Sequence, residues 1–494
     1  MLKSLPTSRW NYQMAAHLLN RAGFGGPPAD IQKLADLGLD GAVSSLIDYE
    51  RIPDSTADPV WALPDPDGNR SYQEAIKNAT PDERRQLQQE RNKLEAERML
   101  ELRWWWLNRM AKGPRPFQEK MVLFWHGHFA TSVEKVREPY FMWRQNELFR
   151  RLATANWMQL LTLAGQDPAM LVWLDQAQSR KEHPNENYAR EVMELFSLGE
   201  GHYTEKDVTE GARCLTGWSL DRINEKFLYR PFFHDDGLKT FLGRTGYLYG
   251  EDAMAQIVAQ PQAARFITAK LWNFFAGQPP SDNLNDALAA VLRQNGDNFK
   301  PLMRVLFSSE EFYGDDVVRN QVKSPVQWLV GTSRLLECDL PPVQVCWAIT
   351  RSLGQDLFAP PNVKGWDGGI SWITTNTLLA RYNYAATLVQ GTYQPLTAAD
   401  FARRPGGPGG QKIERQLQRV HVAGVDVDKL VSPSVRANKE LLVTSLENRL
   451  LQTSLKDDQR KALGDFLATR PELADADIET AIRLVMATPQ YQVA

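Results

Sequence analysis

The segment HPNENYAREVMELFSLG, residues 183–199, predicts a complete amphipathic helix. Pro184 and Asn185 are typical of a helix start, and Gly199 is typical of a helix end. At about 100° per residue, the apolar side chains share one face of this helix. That face comprises Tyr188, Val192, Leu195 and Phe196.

The same 3.6-residue patterning, punctuated by Gly and Pro, recurs along most of the chain. It predicts helices over 141–164, 205–217, 261–276, 284–295, 300–307, 323–337, 342–352 and 373–390. Strand signals are confined to short pieces around 227–233 and 240–248. The sequence therefore predicts a mainly α fold, a large multi-helix domain with at most a small β-hairpin.

Domain organisation follows from one break in composition. Residues 403–410 contain four glycines and two prolines, so we expect a flexible, protease-sensitive loop over 396–412. Residues 1–395 then form the main helical domain, which includes a charged helix over 81–103. Residues 413–494 are predicted to be a C-terminal helical segment that packs on it.

Composition narrows the class of protein. The chain has 494 residues, 43% hydrophobic and 24% charged, with a net charge of −3. Non-specific nucleic-acid binding needs a cationic surplus that this chain lacks. No apolar run reaches the about 18 residues that a membrane span requires, and no signal-peptide pattern is present. These features predict a cytoplasmic protein.

Three cysteines are present, Cys214, Cys338 and Cys346, and none forms a CxxC pair. A thiolate zinc site is therefore not expected. Two interpretations stay open: buried free thiols, or a disulfide between Cys338 and Cys346.

The segment FWHGHFAT, residues 124–131, places His126 and His128 on either side of Gly127. On a continuous helix, side chains two positions apart point about 200° away from each other and cannot share a ligand. A backbone break at Gly127 would let both rings turn to one metal ion. The alternative is that the histidines cap a helix end by bonding to backbone carbonyls.

On the helix of residues 183–199, Asn187, Glu191 and Glu194 lie together on a face beside the apolar one. Carboxylates three positions apart repel each other unless positive charge or a shared proton lies between them. A shared proton would raise the pKa of one carboxyl group and suit it to acid–base catalysis. The alternative is a solvated polar face.

The loop FHDDG, residues 233–237, adds a further candidate pair, His234 and Asp235. A histidine next to a carboxylate can act as a proton carrier or a ligand. An ordinary hairpin turn explains the same residues. The Pro-, Gly- and Trp-containing loop of residues 358–372 could line a pocket or be a compact packed loop.

Six segments in the same order resemble the bacterial family known as domain of unknown function 1800, DUF1800. They are HLLNRAGFG (17–25), FWHGHFAT (124–131), NENYAREVMELFSLG (185–199), ARCLTGW (212–218), HDDG (234–237) and PPNVKGW (360–366). The resemblance implies a large, mostly helical single domain and no particular reaction. It also implies frequent export, and hence a periplasmic location, and a gene often beside that of a sulfatase-like partner. The chain departs from the family in lacking an export signal and in having Gly127 where many relatives have Asn.

We expect His126, His128, Glu191 and Glu194 to converge on one polar site, with Asn187 and the His234–Asp235 pair at its margin. Such nitrogen and oxygen ligands suit zinc, manganese or iron, and a metal-activated water would make the protein a hydrolase. A second hypothesis is a non-enzymatic helical scaffold or maturation partner for a sulfatase-like protein. A third, glycan-active protein rests on acidic pairs and tryptophan platforms alone.

Overall fold

The computed structural model describes residues 2–391 and 422–494. The first half of the chain forms twelve helices: α1 (Tyr12–Ala22), α2 (Pro28–Asp36), α3 (Gly38–Ile47), α4 (Pro66–Asn78), α5 (Pro81–Lys112), α6 (Pro116–His128), α7 (Val133–Val136), α8 (Pro139–Arg151), α9 (Trp157–Gly165), α10 (Pro168–Trp173), α11 (Glu186–Glu194) and α12 (Glu205–Leu215). Most of them begin at a proline or at a side chain that caps the first turn.

Four short strands follow as two separate antiparallel pairs: β1 (Trp218–Asp221) with β2 (Lys226–Tyr229), and β3 (Lys239–Phe241) with β4 (Arg244–Gly246). The later helices are α13 (Gly250–Ala259), α14 (Pro261–Ala276), α15 (Asp282–Gln294), α16 (Phe299–Ser308), α17 (Pro325–Leu335), α18 (Val343–Ser352), α19 (Thr375–Gln390), α20 (Val427–Leu430), α21 (Pro433–Arg436), α22 (Lys439–Leu446), α23 (Asp457–Ala468) and α24 (Asp475–Met486). The fold is mainly α, which confirms the predicted class.

Helix α11 ends at Glu194, five residues before the Gly199 that marked its predicted end. Three other elements also differ from the sequence prediction. The predicted helix 141–164 is two helices, because the Asn156 side chain accepts a hydrogen bond from the backbone of Gln159 and starts α9 anew. The charged helix continues beyond residue 103 to Lys112, since its C-terminal half is buried in the core. Two hairpins form where at most one was expected, and Gly217, with a positive φ of 86°, lies between α12 and the first of them.

The core is continuous and rich in large aromatic side chains. Trp106, Trp125 and Trp157 are fully buried, and Trp125 lies 6.1 Å from Trp157, ring centre to ring centre. A buried ion cluster lies within this core. Glu119 accepts hydrogen bonds from Arg109 at 2.9 Å, from Arg150 at 2.7 Å and from the indole of Trp106 at 3.0 Å.

The C-terminal residues contact the earlier part of the chain at several points. Helix α24 packs against α19, and Val493 forms an antiparallel bridge with Val322. The hydroxyl group of Tyr491 lies 2.6 Å from that of Thr332. The predicted Gly/Pro-rich loop over 396–412, including its protease-sensitive residues 403–410, lies outside the described residues.

Two further expectations can be compared with the structure. Among the described residues, no helix is long and apolar enough to cross a membrane. Cys214, Cys338 and Cys346 are free thiols, so the disulfide between Cys338 and Cys346 is not formed.

Candidate functional site

His126 lies inside an aromatic box in the core. Its ring centre is 4.7 Å from that of Trp106, 4.9 Å from Phe149 and 5.2 Å from Phe358. The Asn146 amide donates a 3.0 Å hydrogen bond to its Nε2. Burial, with a smaller effect of the nearby Arg150, lowers the pKa of His126 to about 3, so the ring is neutral.

The same asparagine ties His126 to the buried ion cluster. Its side-chain oxygen accepts a 2.6 Å hydrogen bond from Arg150, which also binds Glu119. Burial raises the pKa of Glu119, but the Arg150 and Arg109 guanidinium groups outweigh it and hold this pKa below the usual range. His126 thus completes a hydrogen-bonded network that fixes α6 against α5 and α8.

His128 caps the C-terminal end of α11. Its Nε2 donates a 3.0 Å hydrogen bond to the carbonyl oxygen of Phe196. Lys270, from α14, donates to the neighbouring carbonyl of Leu195 at 2.9 Å and lies 3.4 Å from Nδ1 of His128. Burial lowers the pKa of Lys270 to about 8 and that of His128 well below its ordinary value. Both side chains therefore act on helix-end carbonyls.

Helix α6 is continuous through residues 126 and 128, so the break at Gly127 that a shared metal ion required is absent. The two rings face different neighbours, as the geometry of a continuous helix dictates. Within residues 2–391 and 422–494, no group of three or more His, Cys, Asp or Glu side chains could hold a metal ion. The structure therefore does not support the predicted two-histidine metal element at His126 and His128.

Gly127 has a different role. The loop of residues 360–366 presses against it so closely that a Cβ atom on Gly365 would lie 2.2 Å from the Gly127 carbonyl oxygen. The Trp366 ring lies over Gly127, 3.9 Å from where its Cβ would be. This contact joins two of the sequence segments that the family resemblance rests on. It places Lys364, the residue before Gly365, near helix α11.

Glu191 and Glu194 are half-buried on α11, and their environments differ. Glu194 accepts a 2.7 Å hydrogen bond from the hydroxyl group of Tyr203. Among the described residues, no side chain donates a hydrogen bond to the carboxyl group of Glu191. Burial and the neighbouring Glu194 raise the pKa of Glu191, and Lys364 opposes this shift. The pair thus consists of one carboxyl group that Tyr203 holds in place and one whose pKa is raised.

The remaining residues near this pair are more exposed. Asn187 lies one turn before Glu191 and is exposed to solvent. Arg190 forms no hydrogen bond with either glutamate of the pair, because its guanidinium group binds Glu205 at the start of α12 through two hydrogen bonds of 2.6 and 2.7 Å, but its charge lowers the pKa of Glu191. The surface around Glu191 is therefore open on the side of Asn187 and Lys364.

His234 and Asp235 belong to a separate cluster. His234 is buried, donates from Nδ1 to the carbonyl of Thr216 at 2.9 Å and stacks on Tyr249. Asp235 forms an ion pair with Arg213, with a shortest distance of 2.7 Å. Arg213, which binds Asp235, and Glu205, which binds Arg190, both lie on α12. They are eight residues apart, about 12 Å along the helix axis. None of the described hydrogen bonds joins His234 or Asp235 to the Glu191–Glu194 pair.

Sequence reasoning did not identify Lys364, Tyr203 or Lys270 as site residues. Lys364 stands in a loop that the sequence marked as a candidate pocket lining, so that loop was a usable signal. Tyr203 binds Glu194, and Lys270 binds the carbonyl of Leu195 at the end of α11. Both residues lie outside α11, and no local sequence pattern predicts either contact.

The site defines a class: a mainly α-helical protein with a carboxylate pair and an opposing lysine at one helix face. The chain belongs to the DUF1800 family, described as a protein of unknown function, whose model matches residues 17–493. No curated protein matches the chain. No solved structure matches it.

Proposed function

We propose that this protein is a hydrolase-type enzyme in which Glu191 transfers a proton to or from the substrate. The observation that carries the proposal is the contrast within the pair. Glu194 is anchored by Tyr203, whereas Glu191 has a raised pKa and accepts no hydrogen bond from a side chain within the described part of the chain. A carboxyl group with a raised pKa, close to solvent and beside a second carboxyl group, suits general acid–base catalysis.

Lys364 supplies the second element of the proposal. Its ammonium group is exposed and near enough to Glu191 to lower the pKa of that carboxyl group. A cation in this position can attract an anionic substrate or stabilise negative charge that develops during acyl, phosphoryl or sulfuryl transfer. Asn187, exposed one turn away, offers an amide to the same substrate.

The test is a panel of 4-nitrophenyl substrates comprising the acetate, phosphate, sulfate and common glycosides. We expect at least one to be hydrolysed, with kcat/KM at least about 100-fold lower in Glu191→Gln, the usual contribution of a proton-transfer group. The pH profile of the native protein should show a limb above the ordinary glutamate pKa of about 4.3, and this limb should vanish in the variant.

Glu186→Gln is the matched control, because Glu186 is exposed in the first turn of the same helix. It should leave kcat/KM unchanged. Assays with added zinc, manganese or iron, and with a chelator, separate metal-assisted hydrolysis from catalysis by the side chains alone. Equal activity in Glu191→Gln and Glu186→Gln, or no turnover of any substrate, would reject the proposal.

The second candidate function is a scaffold or maturation partner for a sulfatase-like protein. What favours it is the packing role of three predicted site residues: His126, His128 and His234 all bind core or backbone groups. Co-purification with a sulfatase-like protein produced in the same cells, without turnover of the panel, would support this candidate over the enzyme.

A further inference from the structure

Lys323 is a buried lysine that forms no ion pair with any residue that the structure describes. It lies in the loop before α17 and is only 7% exposed. Its Nζ atom lies 4.0 Å from the ring centre of Tyr491, in a C-terminal turn formed by Pro489–Gln492. In the part of the chain that the structure describes, no oxygen atom accepts a hydrogen bond from this ammonium group. The Nζ atom is not fully enclosed and keeps some contact with solvent, and the ring face is its one identified stabilising contact with the protein.

Two arginines meet at the same turn. Arg381, fully buried on α19, donates to the side-chain oxygen of Gln492 at 3.2 Å and to the backbone carbonyl of Lys323 at 2.7 Å. Arg319 donates to the carbonyl of Gln490 at 2.7 Å. Three cations thus contact three successive residues of one turn.

The cationic row continues into the core. Arg21 is fully buried and hydrogen-bonded to the carbonyls of Phe275 and Val317, and Lys120 is buried against the side chain of Gln327. Over residues 2–391 and 422–494, neither these two nor Arg319, Lys323 or Arg381 forms an ion pair with Asp or Glu. Lysine and arginine are almost never fully buried without such a partner.

Among these buried cations, Lys323 is the one whose burial is least compensated by hydrogen bonds. Arginine is weakly hydrated and tolerates burial when carbonyl oxygens accept its N–H groups, as they do for Arg21 and Arg319. A lysine ammonium is a strongly hydrated point charge, and removing most of its hydration without a protein acceptor is costly. Burial, with Arg319 and Arg381, accordingly lowers the pKa of Lys323 well below its ordinary value. A bound anion would accept hydrogen bonds from the ammonium group and would raise the pKa of Lys323.

We propose that Lys323, flanked by Arg319 and Arg381, binds a small tetrahedral oxyanion of the phosphate or sulfate class. The anion accepts hydrogen bonds from the Lys323 ammonium and supplies the negative charge that the row of cations lacks. It thereby stabilises the docking of the C-terminal turn on α17 and α19. This site is independent of Glu191 and of the reaction proposed there.

The experiment measures the thermal unfolding midpoint of the whole protein in sodium phosphate, sodium sulfate or sodium chloride at equal ionic strength and pH 7. A ligand that binds only the folded state raises the midpoint with its concentration. We expect phosphate or sulfate to raise it by at least about 3 °C between 1 and 50 mM, relative to chloride. A response no larger than that to chloride would overturn the proposal.

Three variants test whether Lys323 is responsible for the rise of the unfolding midpoint in phosphate or sulfate. Lys323→Met should abolish it, Lys323→Arg should retain it, and Lys461→Met, which removes an exposed lysine of α23, should behave as the native protein does. Lys323→Met should also unfold at a higher temperature than the native protein in chloride, because it removes an unpaired buried charge. An unchanged phosphate response in Lys323→Met would overturn the proposal.

If Lys323→Met does not fold, equilibrium dialysis of the native protein against labelled phosphate decides. Saturation near one phosphate per chain, retained in Lys323→Arg, supports the site, and no saturable binding overturns it. Glycerol 2-phosphate in place of phosphate distinguishes the source of the ligand. An equal response indicates the phosphoryl group of a larger molecule, and a response to the inorganic ions alone indicates a free anion.

Discussion

At the scale of single residues, burial sets the protonation of groups that would be charged in water. Glu138 begins helix α8 with one carboxyl oxygen buried and unpartnered and the other 3.4 Å from Arg222. Burial raises its pKa to about 7, Glu95 adds to the shift, and Arg222 opposes it. The folded protein therefore binds a proton here that the unfolded chain releases near pH 4.3.

The raised pKa of Glu138 predicts how Glu138→Gln changes the pH dependence of the free energy of unfolding. A raised pKa in the folded state contributes stability that is fully present below about pH 4.3 and is lost as the pH rises through about 7. The amide does not titrate, so the free energy of unfolding of the variant should rise relative to that of the native protein across this window, by about 3–4 kcal/mol at pH 8. Urea unfolding at several pH values measures the difference.

Glu97→Gln is the control, since Glu97 is largely exposed on α5 and forms only a 3.9 Å pair with Lys93. It should follow the native pH dependence. If Glu138→Gln does the same, then Glu138 is ionised in the folded protein at neutral pH and the assignment is wrong.

At the scale of elements, the contact between α6 and the loop of residues 360–366 holds Lys364 near α11. Gly365 has a φ of 87°, a conformation that L side chains rarely adopt, and it faces the Gly127 carbonyl at a distance that leaves no room for a Cβ atom. Gly365→Ala should therefore lower the free energy of unfolding by about 2–4 kcal/mol, through backbone strain and overpacking.

Gly464→Ala is the matched control for this substitution. Gly464 lies inside helix α23 with no heavy atom within 4 Å of the added Cβ, so alanine should stabilise the protein by about 0.5–1 kcal/mol. Denaturant unfolding of both variants checks the pair. A Gly365→Ala variant as stable as the native protein would show that the loop does not depend on its close approach to Gly127.

At the scale of the whole molecule, the C-terminal residues share a core with the rest of the chain. Besides the bridge between Val493 and Val322, Arg449 forms an ion pair with Glu337 at 2.8 Å, and Gln452 accepts a hydrogen bond from Asn20. Contacts of this number and depth predict that residues 422–494 do not separate from the main body when the connection between them is cut.

A protease site inserted between Arg404 and Pro405 tests this prediction. After cleavage, the two fragments should elute together in gel filtration and unfold in one cooperative transition, because buried apolar contacts hold them. The uncleaved protein with the same insertion is the reference. Elution of the C-terminal fragment on its own, without denaturant, would show that it is a separate domain.

The sequence was a good guide to elements and a poorer one to the site. The start of helix α11 was predicted from its local pattern, because Pro184 and Asn185 encode it, but the helix ends at Glu194, before the predicted end at Gly199. The polar face of Glu191 and Glu194 was predicted from the same periodicity. The convergence of His126 on that face stays a prediction. The direction of the His126 ring depends on whether α6 continues through Gly127, and in the structure this ring is bonded to Asn146.

The amino-acid sequence by itself determined the helical class, the family and the carboxylate pair, because these depend on residues close together along one helix or in contiguous motifs. Tertiary structure alone decided the partners of those residues. Tyr203 and Lys364 reach the pair, His128 caps α11 and Asn146 binds His126 across separations that no periodicity encodes. Only the packing of whole helices brings those groups within hydrogen-bonding distance or electrostatic range.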